Sequence, residues 1–478
     1  MSIPHQRLLS VALTAACVVF GLAGAFGGLA WSDPIWYLHT AGRVLDGAAL
    51  YRDIIETNPP LVVWLHLPIV SLARLLDADT VTVWRLSVAF LLLASATLAA
   101  YLLRSWSALP WLAFALFVVG DRGTYGQRDH LILALLLPWL AGALRRIQGR
   151  PSPAWLGIPA ALAFALKPHY VLLWPLVYWL QARKLSWRPA VWLPEHRVML
   201  AAFAVYGLAV LSLTPDYLGL IYRVLGLYGS FRPHSLTTLL VSVPTMLAAF
   251  ALILALLTRR HPRTDLLTAL VAACLGAMLL QGKGYDYHYY PAHAAAVLLL
   301  LSLDVKAVRI AGGLVALLIA FFRLPEAWGG LYRNEHRDMT IVRTLRSTYS
   351  PSSFAAIDPV GTMTPFRYAY YGGVPWHPRW PYLWPLLLPP SARADAIIAD
   401  ELGRMARHPT DLLLIRVPDT GGQQISDLPY PSTTAARLAA YPAYDSLLRH
   451  YTEEPSVAQY RVFRLRGDGQ APQEARVR

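Results

Sequence analysis

Cysteine and acidic charge are both scarce in this chain. Of 478 residues only Cys17 and Cys274 are cysteines, and both lie in apolar stretches. Two such residues build neither a disulfide framework nor a cysteine-based metal site. Asp and Glu number 28 against 42 Lys and Arg, and the four types make up only 15% of the chain. The resulting net charge of +14 would suit nucleic acid, but the basic residues are scattered through short loops. Scatter of that kind excludes a nucleic-acid patch and instead sets the orientation of a polytopic membrane protein. No internal repeat is evident, so an inverted-repeat transporter architecture has no support.

Apolar residues, by contrast, are abundant: 56% of the chain, with a mean hydropathy of +0.42. They form blocks near 8–30, 61–76, 83–103, 107–120, 131–144, 153–166, 170–182, 198–213, 236–257, 265–281, 291–303 and 308–323. Blocks of this kind can cross a hydrocarbon layer about 30 Å thick as helices. The first is long and has no clear cleavage site, which predicts a retained signal anchor.

The block at 61–76 decides the topology. It follows Asn58-Pro59-Pro60 and carries His66, Pro68 and Arg74, which suits a helix lying along the interface. If it does not span, the loops before residue 324 hold 14 Lys and Arg inside and 9 outside. If it spans, the split is 8 inside and 15 outside. Positive charge favours the cytoplasmic face, so the first arrangement is preferred. The expected fold is a polytopic α-helical membrane protein of about eleven transmembrane helices in the cytoplasmic (inner) membrane. Its N-terminus is cytoplasmic, and residues 31–82 form a large first outer loop with interfacial helices. Residues 1–325 make the membrane module. Residues 326–478 have no block able to span. Strand-like runs at 411–417 and 459–465, with helical runs near 391–407 and 433–449, predict a small extracytoplasmic α/β domain.

In this topology ionisable and aromatic residues recur in five outer loops. The first holds Trp31-Ser32-Asp33-Pro34, Arg52, Asp53 and Glu56; the second runs from Asp121 through Gln127, Arg128 and Asp129 to His130. The third holds Lys167-Pro168-His169-Tyr170, the fourth Asp216, Arg223, Arg232 and His234, and the fifth Gln281, Lys283, Tyr285, Asp286 and His288. Each has a plain explanation on its own: interfacial aromatics, snorkelling cations, a turn aspartate at 33. Their repetition on one face is better explained by function, because ionisable groups near a bilayer are costly to keep. Arg and Lys clamp phosphate, a carboxylate accepts a proton from an attacking hydroxyl, and aromatic rings stack on sugars. A lipid-phosphate sugar suits such a site, since its tail stays in the bilayer.

At Asp33-Pro34, at Gly47–Asp53 leading to Asn58-Pro59-Pro60, and at the acidic loop 121–130, the sequence resembles the type C glycosyltransferases. Within them it is most similar to the protein mannosyltransferase and aminoarabinose transferase branch, over about residues 8–325. These are polytopic enzymes that use polyprenyl-phosphate sugars. The resemblance implies that Asp33 is the catalytic base and that an acid of the second outer loop supports it. Asp121 and Asp129 both compete for that place, with Asp129 favoured; the family's common Arg-Pro-Asp triplet is missing here. Arg52, Asp53, Glu56, Asp121, Gln127, Arg128, His130, Lys167, His169, Lys283, Tyr285 and His288 are expected to contact substrate.

The expected activity is inverting transfer of a monosaccharide to an extracytoplasmic lipid, glycan or protein hydroxyl. No obligatory metal is expected, although a loosely bound divalent cation shared by Asp33 and Asp129 is compatible. The competing readings are a lipid-linked sugar flippase or polysaccharide transporter, and a non-catalytic subunit of a cell-envelope assembly.

Overall fold

The structure is a computed structural model describing residues 3–185, 192–232, 234–258, 261–328, 343–359, 365–416, 434–457 and 460–467. Arg188, Arg259, Arg260, Val417, Thr433 and Gln459, used above for the charge count and element bounds, lie outside these residues.

Six described helices are long and apolar enough to cross a membrane: His5–Phe26, Thr80–Leu103, Arg128–Ile147, Pro194–Leu213, Pro262–Gln281 and Lys306–Pro325. The chain is a multi-pass membrane protein. The other expected spans are shorter, and proline is the local reason. The 107–120 block becomes a 3-10 turn, Trp106–Ala108, followed by Leu109–Phe117 with Pro110 in its first turn. The 170–182 block becomes a 3-10 turn, Pro168–Leu172, followed by Leu173–Leu185. Helix Leu61–Leu75 has 15 residues and reaches about 22 Å, short of the ~30 Å layer. Val243–Leu257 has the same length, so length alone does not separate an interfacial helix from a spanning one.

The chain forms two compact units. One is Met1–Ala30, Asn58–Pro215 and Pro233–Tyr332; the other is Trp31–Thr57, Asp216–Arg232 and Arg333–Arg478. The second unit thus takes in Trp31–Thr57 and Asp216–Arg232 as well as the residues from Arg333 onward.

In the first unit, helix Arg128–Ile147 is central: it is buried almost continuously from Arg128 to Leu144 and packs against Thr80–Leu103 and Gly157–Leu166. Helix Pro262–Gln281 packs along Asp286–Ser302. Ser95 adds a polar tie by donating to the Ala134 carbonyl. Arg146 pairs with buried Glu195 through two bonds of 3.2 Å, closing one end of the bundle.

The second unit is built on a four-stranded sheet of order β1-β2-β4-β3, with β1 Phe354–Ile357, β2 Leu412–Arg416, β3 Tyr451–Val457 and β4 Tyr460–Leu465. β1 and β2 are parallel, so a crossover must join them, and helix Ala392–Arg407 lies in that connection. Its Ile398 and Leu402 join Leu413, Ile415 and Phe463 in the core. The expected runs at 411–417 and 459–465 correspond to β2 and β4, while β1 and β3 are additional. Helix Ser32–Leu45 belongs to this unit because Trp36 packs on Phe366 at 5.0 Å and Arg43 reaches the Trp376 carbonyl at 3.4 Å. The Ile55 amide donates to the Arg379 carbonyl at 2.8 Å.

Candidate functional site

Helix Arg128–Ile147 begins where a tight turn ends. The Thr124 amide donates to Asp121 Oδ1 at 2.7 Å, and the Thr124 hydroxyl donates to the same oxygen. Gly126 follows with φ +70°, and a Cβ there would lie 2.2 Å from the Trp84 ring. Only glycine meets both demands. The Gly126 amide donates to His130 Nδ1 at 3.1 Å, so the ring proton sits on Nε2 and is donated to the Leu116 carbonyl at 2.7 Å. Both His130 nitrogens are thus engaged with backbone, and the ring braces the turn. Gly126→Ala is expected to destabilise by roughly 1–2 kcal/mol through left-handed backbone strain and by about 1–3 kcal/mol through overpacking. A thermal midpoint in detergent unchanged from the parent protein would refute this.

The turn delivers Arg128 and Asp129 into the interior, both buried and in the first turn of their helix. The helix dipole favours a carboxylate there. Asp129 is fully buried, at 0% exposure. Lys167 Nζ donates to its Oδ2 at 2.6 Å, and the Tyr170 hydroxyl donates to its Oδ1 at 2.7 Å. Lys167 also donates to Gln281 Oε1 at 2.7 Å and lies 5.4 Å from the centre of the Tyr287 ring. Lys167 and Tyr170 reach the same carboxylate because a 3-10 turn, Pro168–Leu172, joins them; residues three apart eclipse in that geometry.

The fifth expected loop completes the cluster. Lys283 and His288 are buried. Tyr285 stacks on Tyr287 at 5.7 Å, and Tyr287 meets His288 edge-on at 4.6 Å. Lys167, Arg128, Lys283 and His169 all lie within electrostatic reach of the His288 ring. Nδ1 of His288 and Nε2 of Gln127 are buried without a hydrogen-bond partner among the described residues. Partial burial first, then the charges of Lys167 and Arg128, hold the His169 imidazole below its ordinary range. Three buried cations outnumber one buried carboxylate in this cluster, and charge-assisted bonds to phosphate are strong in such surroundings.

The cluster thus unites Arg128, Asp129, Lys167, His169, Lys283, Tyr285 and His288, with Asp121, Gln127 and His130 in or beside the turn that shapes it. Tyr170, Gln281 and Tyr287 join it without having been singled out in the sequence. The second unit carries the rest. Asp33 is half-buried in the first turn of Ser32–Leu45. Arg52 and Asp53 form an exposed pair at 3.3 Å. A hydrogen bond from the Ala49 amide, and then Arg52, hold the Asp53 carboxyl below the usual range. Glu56 is buried. On the same helix as Asp33, burial and then Arg43 hold the His39 imidazole down at about 3, so it is neutral.

The sequence matches no family model and no curated protein. Its fold resembles that of ArnT from Cupriavidus metallidurans bound to undecaprenyl phosphate, with 13% identity and a TM-score of 0.57 over 99% of this chain and 100% of that one. Weaker likenesses are found to the arabinofuranosyltransferase AftD from Mycobacteria, with 15% identity and a TM-score of 0.44 over 97% of this chain and 42% of that one. A third is to the oligosaccharyltransferase of Archaeoglobus fulgidus tethered with an acceptor peptide, with 10% identity and a TM-score of 0.44 over 85% of this chain and 69% of that one. The chain has the type C glycosyltransferase fold.

Proposed function

We propose that this protein is a membrane glycosyltransferase that moves a monosaccharide from a polyprenyl-phosphate donor to an acceptor hydroxyl. The observation that supports it most is the buried cluster of Arg128, Lys167 and Lys283 beside His288. A group of buried cations attracts a polyanion through charge-assisted hydrogen bonds, and a lipid phosphate is one that a membrane enzyme can reach. The cluster phosphate would belong to the donor.

In the proposed reaction the acceptor oxygen attacks the anomeric carbon in one displacement, which inverts the configuration. Its proton passes to the Asp33 carboxylate as the new carbon–oxygen bond forms. The bond between the anomeric carbon and the phosphate oxygen breaks, and polyprenyl phosphate leaves. Arg128 and Lys283 offset the charge that develops on it. Asp129 has the supporting role, holding Lys167 through the 2.6 Å bond. No obligatory metal takes part. The N-terminus is placed in the cytoplasm and the cluster on the extracytoplasmic side of the inner membrane, where a lipid, glycan or protein supplies the hydroxyl.

A flippase would place charge along the middle of its helices; here Arg128, Asp129, Lys167 and Lys283 stand at helix ends. A non-catalytic subunit would lose assembly, and no transfer activity, on deletion of 326–478. The decisive experiment is mass spectrometry of lipids that co-purify with the full chain in detergent. A polyprenyl phosphate or its sugar derivative is expected, with about tenfold lower retention in Lys283→Met. Repeated absence of any polyprenyl lipid, with no transfer from a synthetic polyprenyl-phosphate sugar, rejects the proposal.

A further inference from the structure

The helices that carry the cation cluster at one end enclose a second site at the other. Helix Arg128–Ile147 holds Asp129 in its first turn, while Leu137, Leu140 and Leu144 from its later turns line a separate cavity of about 310 Å³. Helix Pro262–Gln281 shows the same division in reverse: Gln281 meets Lys167, and Leu266 and Leu267 line the cavity. The volume falls in the range of about 300–1,000 Å³ typical of small-molecule pockets.

The lining has two parts. Its body is leucine and alanine with Trp111, drawn from five neighbouring segments of the first unit. Its polar members are Ser105, Ser107, Ser302 and Arg263, which stand where the chain enters or leaves helices. Ser105 and Ser107 lie 3.1 Å apart, hydroxyl to hydroxyl. Arg263 is exposed, in the first turn of a 20-residue helix, and its guanidinium has no hydrogen-bond or ion-pair partner among the described residues. An apolar chamber with a cation and hydroxyls at its rim matches one kind of molecule. It must be amphiphilic, with a hydrocarbon chain and an anionic head.

We propose that this cavity is a binding site for a membrane phospholipid with an anionic headgroup, its acyl chain among the leucines and its phosphate at Arg263. The site is separate from the cation cluster and does not depend on the function proposed above. The sequence topology puts Arg263 on the cytoplasmic side, where juxtamembrane cations meet anionic lipid.

The test uses the full chain in non-ionic detergent, stripped of lipid and then supplied with phosphatidylglycerol, phosphatidylcholine or inorganic phosphate. Phosphatidylglycerol is expected to raise the thermal midpoint well above the effect of phosphatidylcholine, by mass action on the folded state. Inorganic phosphate should do nothing, because it cannot fill the chamber. Arg263→Gln should weaken phosphatidylglycerol binding about tenfold and abolish the preference over phosphatidylcholine. Leu267→Trp, which fills the cavity, should remove retained lipid in native mass spectrometry. Equal stabilisation by both lipids, a full effect of phosphate alone, or an unchanged preference in Arg263→Gln overturns the proposal. The Arg263 substitution is at an exposed position, so its result stands even if Leu267→Trp fails to fold.

Discussion

Lys167→Met should destabilise the protein by about 3–5 kcal/mol, the usual cost of leaving one member of a buried ion pair without its partner. Asp129 is at 0% exposure and accepts from Lys167 at 2.6 Å and from Tyr170 at 2.7 Å. Removing the ammonium leaves a carboxylate supported by one phenol, far from water. A buried carboxylate left this way is costly. Gln281 also loses the donor that reaches its Oε1 at 2.7 Å. Replacing both charges by near-isosteres relieves most of this, because a buried pair can be exchanged for uncharged groups at little net cost. The double variant Asp129→Asn/Lys167→Met should therefore melt closer to the parent protein than Lys167→Met does. Lipid retention separates structure from function. Both variants should retain polyprenyl lipid poorly, since both lack one cation of the cluster. The measurement is the apparent thermal midpoint in one detergent for the four members of the cycle. A Lys167→Met protein as stable as its parent would show that Asp129 does not depend on this ammonium.

The parts of this site that were legible in the sequence were those that break a rule of membrane segments. Arg128, Asp129, Lys167, Lys283 and His288 stand out because ionisable side chains at the ends of apolar blocks are costly. Tyr170 and Gln281 carry no such signal. A tyrosine at the edge of an apolar block looks like an interfacial aromatic, and its role appears only when the 3-10 turn brings it and Lys167 to one carboxylate. His130 shows the opposite effect. Its chemistry suggested substrate, while its position makes it a brace for the Gly126 turn. In the second unit, β2 was legible from an unbroken apolar run, Leu412–Ile415, as expected for a strand covered on both faces. β3 was not, because its sequence Tyr-Thr-Glu-Glu-Pro-Ser-Val is charged and contains proline. It occupies the edge of the sheet, and its pairing with β4 shifts register between Glu454 and Val457, around Pro455. Edges and bulges are where a strand tolerates proline. The grouping of Trp31–Thr57 with the C-terminal residues was also invisible, since it rests on long-range contacts such as Trp36 with Phe366.

Asp33→Asn should lower transfer by about 10²–10⁴-fold while leaving the protein folded and able to retain its lipid, the range expected for loss of a general base. The amide has the shape of the carboxylate and cannot accept the hydroxyl proton at neutral pH. Asp33 stands in the first turn of Ser32–Leu45 with its residue half-buried. Neutralising it there weakens a dipole interaction of about 0.3–1 kcal/mol, while asparagine keeps the shape of the side chain and one accepting oxygen. Helix Ser32–Leu45 is held chiefly by its apolar face, Ile35, Trp36, Leu38 and Ala41, all buried. The decisive feature is the split between readouts. Asp33→Asn should lose kcat with a KM for the donor close to that of the parent, because the carboxylate is proposed to act on the acceptor proton and not on the phosphate. Lys283→Met should instead raise the donor KM and lose retained lipid. Asp129→Asn should do both and lower the melting temperature as well, because it frees Lys167 from its 2.6 Å bond. If Asp33→Asn turned over at near the parent rate, proton removal would have to be assigned elsewhere. If it instead lost donor binding in step with Lys283→Met, Asp33 would belong to the binding of the sugar or its phosphate and not to the base.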